Sequence, residues 1–88
     1  MFERSVEIRN ELGLHARPAQ LFVQAADQFR SGIILSKDGV EVNGKSIMGV
    51  MMLAAERGST VLIRAEGADE REAVEQLVVL IESKFGEA

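Results

Sequence analysis

The sequence predicts an α+β fold in which helices cover one face of a mainly antiparallel sheet. Three observations carry that expectation. Residues 2–9 alternate in polarity with a period of two, Asp38-Gly39 separates two short apolar runs, and segments after Pro18 and after Asp69 repeat apolar residues at helical spacing. The segments follow one another as strand, helix, strand, strand, short helix, strand, helix. A chain of 88 residues leaves room for a single domain, 1–88, with one core.

In the first strand Phe2, Arg4, Val6 and Ile8 alternate with Glu3, Ser5, Glu7 and Arg9, giving an apolar face broken only at Arg4; it ends at Asn10-Glu11. Gly13 suits a turn that needs positive φ, and Pro18 has φ preset for a first helical turn, so a helix should begin close to His15. Leu21, Phe22, Ala25, Ala26 and Phe29 then form its buried stripe, while Asp27, Gln28 and Arg30 face water. Ile33-Ile34-Leu35 and Val40-Glu41-Val42 flank Lys37-Asp38-Gly39 as a hairpin.

Ser46 is the natural N-cap of a short helix. If Val50, Leu53 and Ala54 share its buried side, Ile47, Met48, Met51 and Met52 cannot all be buried with them, and some methionines should be exposed. Thr60 to Ala65 is a β-branched strand between Gly58 and Gly67. Asp69 with Glu72 three residues later resembles a capping box, and Val74, Leu77, Val78, Ile81 and Phe85 follow as the buried stripe of a long last helix.

Fourteen acidic against ten basic residues give a net charge of −4, which opposes non-specific attraction to nucleic acid or anionic lipid. The start, Met1-Phe2-Glu3-Arg4, lacks a basic region followed by an apolar run, and no apolar stretch approaches the ~18 residues needed to cross a bilayer. A cytoplasmic protein without direct membrane insertion is the simplest reading. One histidine and no cysteine make a metal centre a poor reading, and no cofactor is indicated.

The chemistry centres on Gly13-Leu14-His15-Ala16-Arg17-Pro18, which holds that one histidine where strand gives way to helix. A helix N-terminus presents unpaired N–H groups and the positive end of the macrodipole, so an anionic group on His15 would find donors in place. Arg17 could add a forked, charge-assisted contact. A neutral imidazole is a competent nucleophile near pH 7 without a helper base. Taken alone, the hexapeptide still leaves a plain surface histidine as the simpler reading. Ser46 likewise reads first as a cap. The Ile47 to Met52 run divides between a buried all-apolar helix and an adaptable methionine surface.

Gly-Leu-His-Ala-Arg-Pro at 13–18, followed by Asn-Gly-Lys-Ser-Ile-Met-Gly-Val-Met at 43–51 and Ala-Glu-Gly-Ala-Asp-Glu at 65–70, resembles the HPr family. These are the histidine-containing phosphocarriers of the bacterial phosphoenolpyruvate-dependent phosphotransferase system. The resemblance implies an open-faced β-sandwich, four antiparallel strands in order 1-4-2-3 under three helices. It also implies that enzyme I passes a phosphoryl group to Nδ1 of His15 and that sugar-specific IIA domains then accept it. Arg17 matches the arginine beside the phosphohistidine, Ala16 and Pro18 belong to the same site, and Pro18 opens the helix. Ser46 matches the serine that an ATP-dependent HPr kinase/phosphorylase modifies in many members. The implied partner surface comprises Ile47, Met48, Met51, Met52, Leu14, Gln20 and Gln24. A phosphate at position 46 would set a dianion beside those apolar groups and weaken docking there. With no Gly-rich phosphate loop, metal cluster or second catalytic group beside His15, the chain reads as a carrier, not an enzyme, with catalysis supplied by its partners.

Leu12 replaces a small polar residue frequent in sugar-type members, and Met51-Met52-Leu53-Ala54-Ala55 resembles nitrogen-related paralogues, whereas His-Ala-Arg-Pro points back to the sugar branch. A reading of a different class is a regulatory module that engages a transcriptional regulator or metabolic enzyme through Ile47 to Met52 under control of Ser46. Family paralogues specialised for regulation lack the histidine, so His15 counts against a purely regulatory role. A stand-alone hydrolase is poor, because no base, metal or oxyanion constellation accompanies His15.

Overall fold

The computed structural model describes residues 1–87; position 88, the last of the predicted domain span, lies outside the described residues. The elements are β1 (Phe2–Glu7), α1 (Ala16–Ala26), β2 (Gly32–Lys37), β3 (Val40–Asn43), α2 (Ile47–Met52), β4 (Thr60–Glu66) and α3 (Glu70–Glu82), followed by a short 3-10 turn, Lys84–Gly86. The sheet runs β1-β4-β2-β3 and every pairing is antiparallel. This is the expected open-faced sandwich. Asp38 and Gly39 both have positive φ, as a two-residue hairpin turn demands.

Alternation on the central strand decides which face is covered. Val61, Ile63 and Ala65 are buried, and Ile33 and Leu35 of β2 join them. The opposite face carries Arg64, which spans β4 to hold Glu3 on β1 at 3.5 Å and Glu41 on β3 at 2.8 Å. α3 lies on the covered face with Ala73, Val74, Leu77, Val78 and Ile81 buried.

Four local expectations are corrected. On α1 the buried stripe is Ala19, Phe22, Val23 and Ala26, whereas Leu21, Ala25 and Phe29 are partly buried at its margin. The helix is rotated so that Ala19, Phe22 and Ala26 take the fully enclosed positions. Ala54 is exposed with φ of +51°, because α2 ends there and the chain turns to bury Ala55 instead. Phe85 is buried but lies beyond α3, brought back to the core by left-handed residues at Lys84 and Phe85. Asp69 makes no side-chain cap on its own helix. Its carboxylate accepts from Arg30 N and Ser31 N at 2.9 Å each, and from Ser31 Oγ, pinning the α1–β2 connection to the start of α3. Glu70 rather than Glu72 reaches back, accepting from Gly67 N at 3.1 Å.

Candidate functional site

The turn before α1 is built from residues that only one conformation satisfies. Gly13 has φ of +67°, and a Cβ there would overlap the Ala55 carbonyl oxygen. Leu14 N donates to that same oxygen at 2.9 Å, so the turn is stitched to the segment after α2. Asn10, fully buried, donates from Nδ2 to Gly13 O at 2.7 Å and to Glu87 Oε1 at 3.2 Å. These bonds fix the entry of the chain into α1, and His15 becomes its N-cap residue.

His15 makes no side-chain cap hydrogen bond. A capping side chain takes the N–H of the second or third helical residue, and the third here is Pro18, which has none. Ala19 N closes the first turn by donating to His15 O at 2.9 Å. The N–H groups of Ala16 and Arg17 therefore remain as the helix's orphan donors. The Arg17 side chain is 65% exposed.

The two ring nitrogens of His15 occupy different environments. Nε2 is enclosed, 3.3 Å from Glu87 Oε2 but without hydrogen-bond geometry; Nδ1 is not among the enclosed, unpartnered atoms. Arg17 Nη1 approaches the same Glu87 oxygen at 3.7 Å. Glu87 thus gathers Asn10, His15 and Arg17 around one carboxylate. Beside the ring lies an open cleft of about 280 Å³ lined by Leu12, Leu14, His15, Met51, Ala54, Ala55 and Glu56.

The second predicted site, Ser46, sits at the N-cap of α2, where its Oγ accepts from Gly49 N at 3.1 Å. The capping reading of Ser46 is therefore met in full. Val50 and Leu53 are buried, while Ile47, Met48, Met51 and Met52 are exposed, the two largest exposures being Met48 at 70% and Met52 at 76%. On α1, Arg17, Gln20 and Gln24 are exposed at spacings of three and four and so share a face; Ala16 is exposed as well, and Pro18 is buried. α1 and α2 pack together, and Met51 lines the cleft beside His15. Leu14 differs: it lines the cleft, yet it is only 4% exposed and its side chain belongs to the core.

Sequence reasoning missed Asn10 and Glu87. No local signal marks either, because their meeting depends on a contact across 77 positions.

A family model described as "PTS HPr component phosphorylation site" matches residues 2–83. Among curated proteins, the phosphocarrier protein HPr of Neisseria meningitidis is 51% identical over 87 residues, covering 99% of this chain and 98% of the relative. The HPr-like protein Crh of Halalkalibacterium halodurans is 52% identical over 84 residues, covering 96% of this chain and all of the relative. Among solved structures, HPr-C-His from Thermoanaerobacter tengcongensis superposes with a TM-score of 0.96 at 57% identity, covering 100% of this chain and 99% of the other. With the sheet order, the helix-terminal histidine and these relatives in agreement, the chain belongs to the HPr phosphocarrier family.

Proposed function

We propose that residues 1–88 act as one phosphoryl-carrier domain of the phosphoenolpyruvate-dependent phosphotransferase system, taking a phosphoryl group from enzyme I onto His15 and handing it to IIA domains. The observation that carries this reading is the uncapped N-terminus of α1, where the one histidine makes no cap hydrogen bond and the ring nitrogen enclosed beside Glu87 is Nε2. In the step, the Nδ1 lone pair attacks phosphorus, the new N–P bond forms and the bond to enzyme I breaks. No proton need leave Nδ1 if the neutral ring carries its proton on Nε2, the nitrogen that faces Glu87. Ala16 N, Arg17 N and the Arg17 guanidinium are the donors this reading assigns to the added oxygens.

The protein supplies a nucleophile and a fixed anion cradle, and the partners supply the remaining catalytic groups. Transfer of this kind depends on positioning and charge stabilisation, so a convex, accessible histidine suffices. The exposed Ile47, Met48, Met51 and Met52, with Gln20 and Gln24, supply the surface on which partners seat in this reading. Ser46 is the regulatory position, modified by an HPr kinase/phosphorylase. A phosphate there remains compatible with the α2 N-terminus while placing a dianion against Ile47 and Met48. The setting is the cytoplasm; no helix among the described residues is long and apolar enough to cross a membrane.

The test is incubation with phosphoenolpyruvate, magnesium and enzyme I, followed by intact mass measurement. One acid-labile phosphoryl group, absent from His15→Ala and passed on to a IIA domain, is the expected result. No gain with an enzyme I active on another HPr would overturn the carrier reading. The half-identical Crh relative favours examining a second reading, a Ser46-controlled binding module that engages a transcriptional regulator. Under that reading His15→Ala retains all partner binding and biological output.

A further inference from the structure

The basic residues of this acidic chain are unevenly used. Arg17, Arg64 and Arg71 hold carboxylates, and Lys45 donates to the Phe29 carbonyl at 2.8 Å. Among the described residues the other cations have no carboxylate within 4 Å, and three of them, Arg9, Arg57 and Lys84, line a single cleft of about 360 Å³ with Glu7, Ile8 and Gly58. The net charge of −4 makes this concentration of positive charge a local feature, opposed to the average field of the molecule.

The backbone holds the three cations together. Gly58 N donates to Ile8 O and Ile8 N donates to Ser59 O, each at 2.8 Å, lacing the turn that carries Arg57 to the segment after β1 that carries Arg9. Lys84 arrives from a third direction on a residue with φ of +60°, followed by Phe85 at +55°. Two successive non-glycine residues in the left-handed region are uncommon, and burial of Phe85 at 3% exposure holds them there. Gly58, at φ of +89°, has nothing within 4 Å of where a Cβ would stand, so the cleft wall at that position is open.

We infer that the Arg9–Arg57–Lys84 cleft is a binding site for a small phosphate-bearing anion, separate from the His15 site. Two guanidinium forks and an ammonium match the several acceptor oxygens of a phosphate. The volume lies at the low end of the range for small-molecule sites, which suits a phosphate on a short carbon skeleton. In sequence the cleft residues adjoin the pair that meets beside His15: Arg9 precedes Asn10, and Lys84 stands three residues before Glu87. The inference does not rest on His15 being a phosphoryl acceptor.

The test is a titration of the ¹⁵N-labelled full chain with inorganic pyrophosphate, without magnesium or any enzyme, against sodium chloride at matched ionic strength. The expected result is saturable one-to-one binding, with amide shifts centred on Arg9, Arg57, Gly58 and Lys84 and an affinity that falls as salt is raised. The double variant Arg57→Gln/Lys84→Gln, at two exposed positions, weakens binding at least ~10-fold with the dispersion of the spectrum retained, whereas Arg17→Ala changes it by less than ~2-fold. Three results would each overturn the inference: shifts that sodium chloride reproduces, shifts centred on Ala16 and Arg17 and lost in Arg17→Ala, or undiminished binding by the double variant.

Discussion

The N-termini of α1 and α2 begin with the same problem and solve it in opposite ways. Each follows a polar residue in extended conformation, His15 and Ser46, whose carbonyl accepts the first helical bond at 2.9 Å. At α2 the third helical residue is Gly49, and its N–H is taken by Ser46 Oγ. At α1 the third residue is Pro18, which has no N–H to give, and the imidazole is left without a capping role. One end is closed by its own side chain; the other is held open by proline and glycine. The contrast teaches where chemistry is affordable: an anion at α1 meets donors that nothing else among the described residues uses, whereas at α2 it must take over a position already filled.

The largest expected effect breaks the open end. His15→Ala abolishes acid-labile phosphoryl uptake while leaving the thermal midpoint near that of the parent, because among the described residues the imidazole makes no hydrogen bond. Next, Arg17→Ala slows phosphoryl uptake from enzyme I by roughly 10–100-fold, the loss expected when one charged hydrogen-bonding contact to the transferred group is removed. Single-turnover kinetics read this directly, and an unchanged rate would place Arg17 outside the anion cradle.

The closed end responds in stability instead. Ser46→Ala removes the Gly49 partner and costs ~1 kcal/mol, a fall in Tm of roughly 4–8 °C for a domain of this size. Ser46→Asp restores a competent cap and most of that stability, yet weakens partner docking next to Met48. If Ser46→Ala and His15→Ala destabilise equally, the distinction between the two ends is lost.

The smallest effect concerns the third N-terminus, where Asp69 spends its carboxylate on the α1–β2 connection. Hydrogen bonds from Ser31 and from the Arg30 and Ser31 backbone hold its pKa at about 2, below the ordinary 3.8. A folded-state pKa below the unfolded one stabilises the protein above pH 3.8, and that contribution disappears as pH falls toward 2. Thermal midpoints followed from pH 5 to 2 should show this loss in the parent and a flatter profile in Asp69→Asn.

How much of this was legible in the sequence follows the range of the interactions. Element order, the Asp38-Gly39 hairpin, the Ser46 cap and the exposure of the methionines all rest on spacing or turn chemistry within a few residues, and all appear in the structure. At Asp69 a local capping pattern competes with three donors some 38 positions away, and the tertiary partners win. Asn10 and Glu87 were invisible for the same reason. Their contact requires the left-handed turn at Lys84 and Phe85, a conformation that neither residue type announces.

The central claim is that the open end of α1 presents Nδ1 of His15 while Glu87 faces Nε2. ¹⁵N NMR of the ring, with the chain phosphorylated by enzyme I and phosphoenolpyruvate, tests it most directly. The account predicts a phosphorus-coupled Nδ1 and a protonated Nε2. A phosphorus-coupled Nε2, or a phosphoryl group carried anywhere other than on His15, would contradict it.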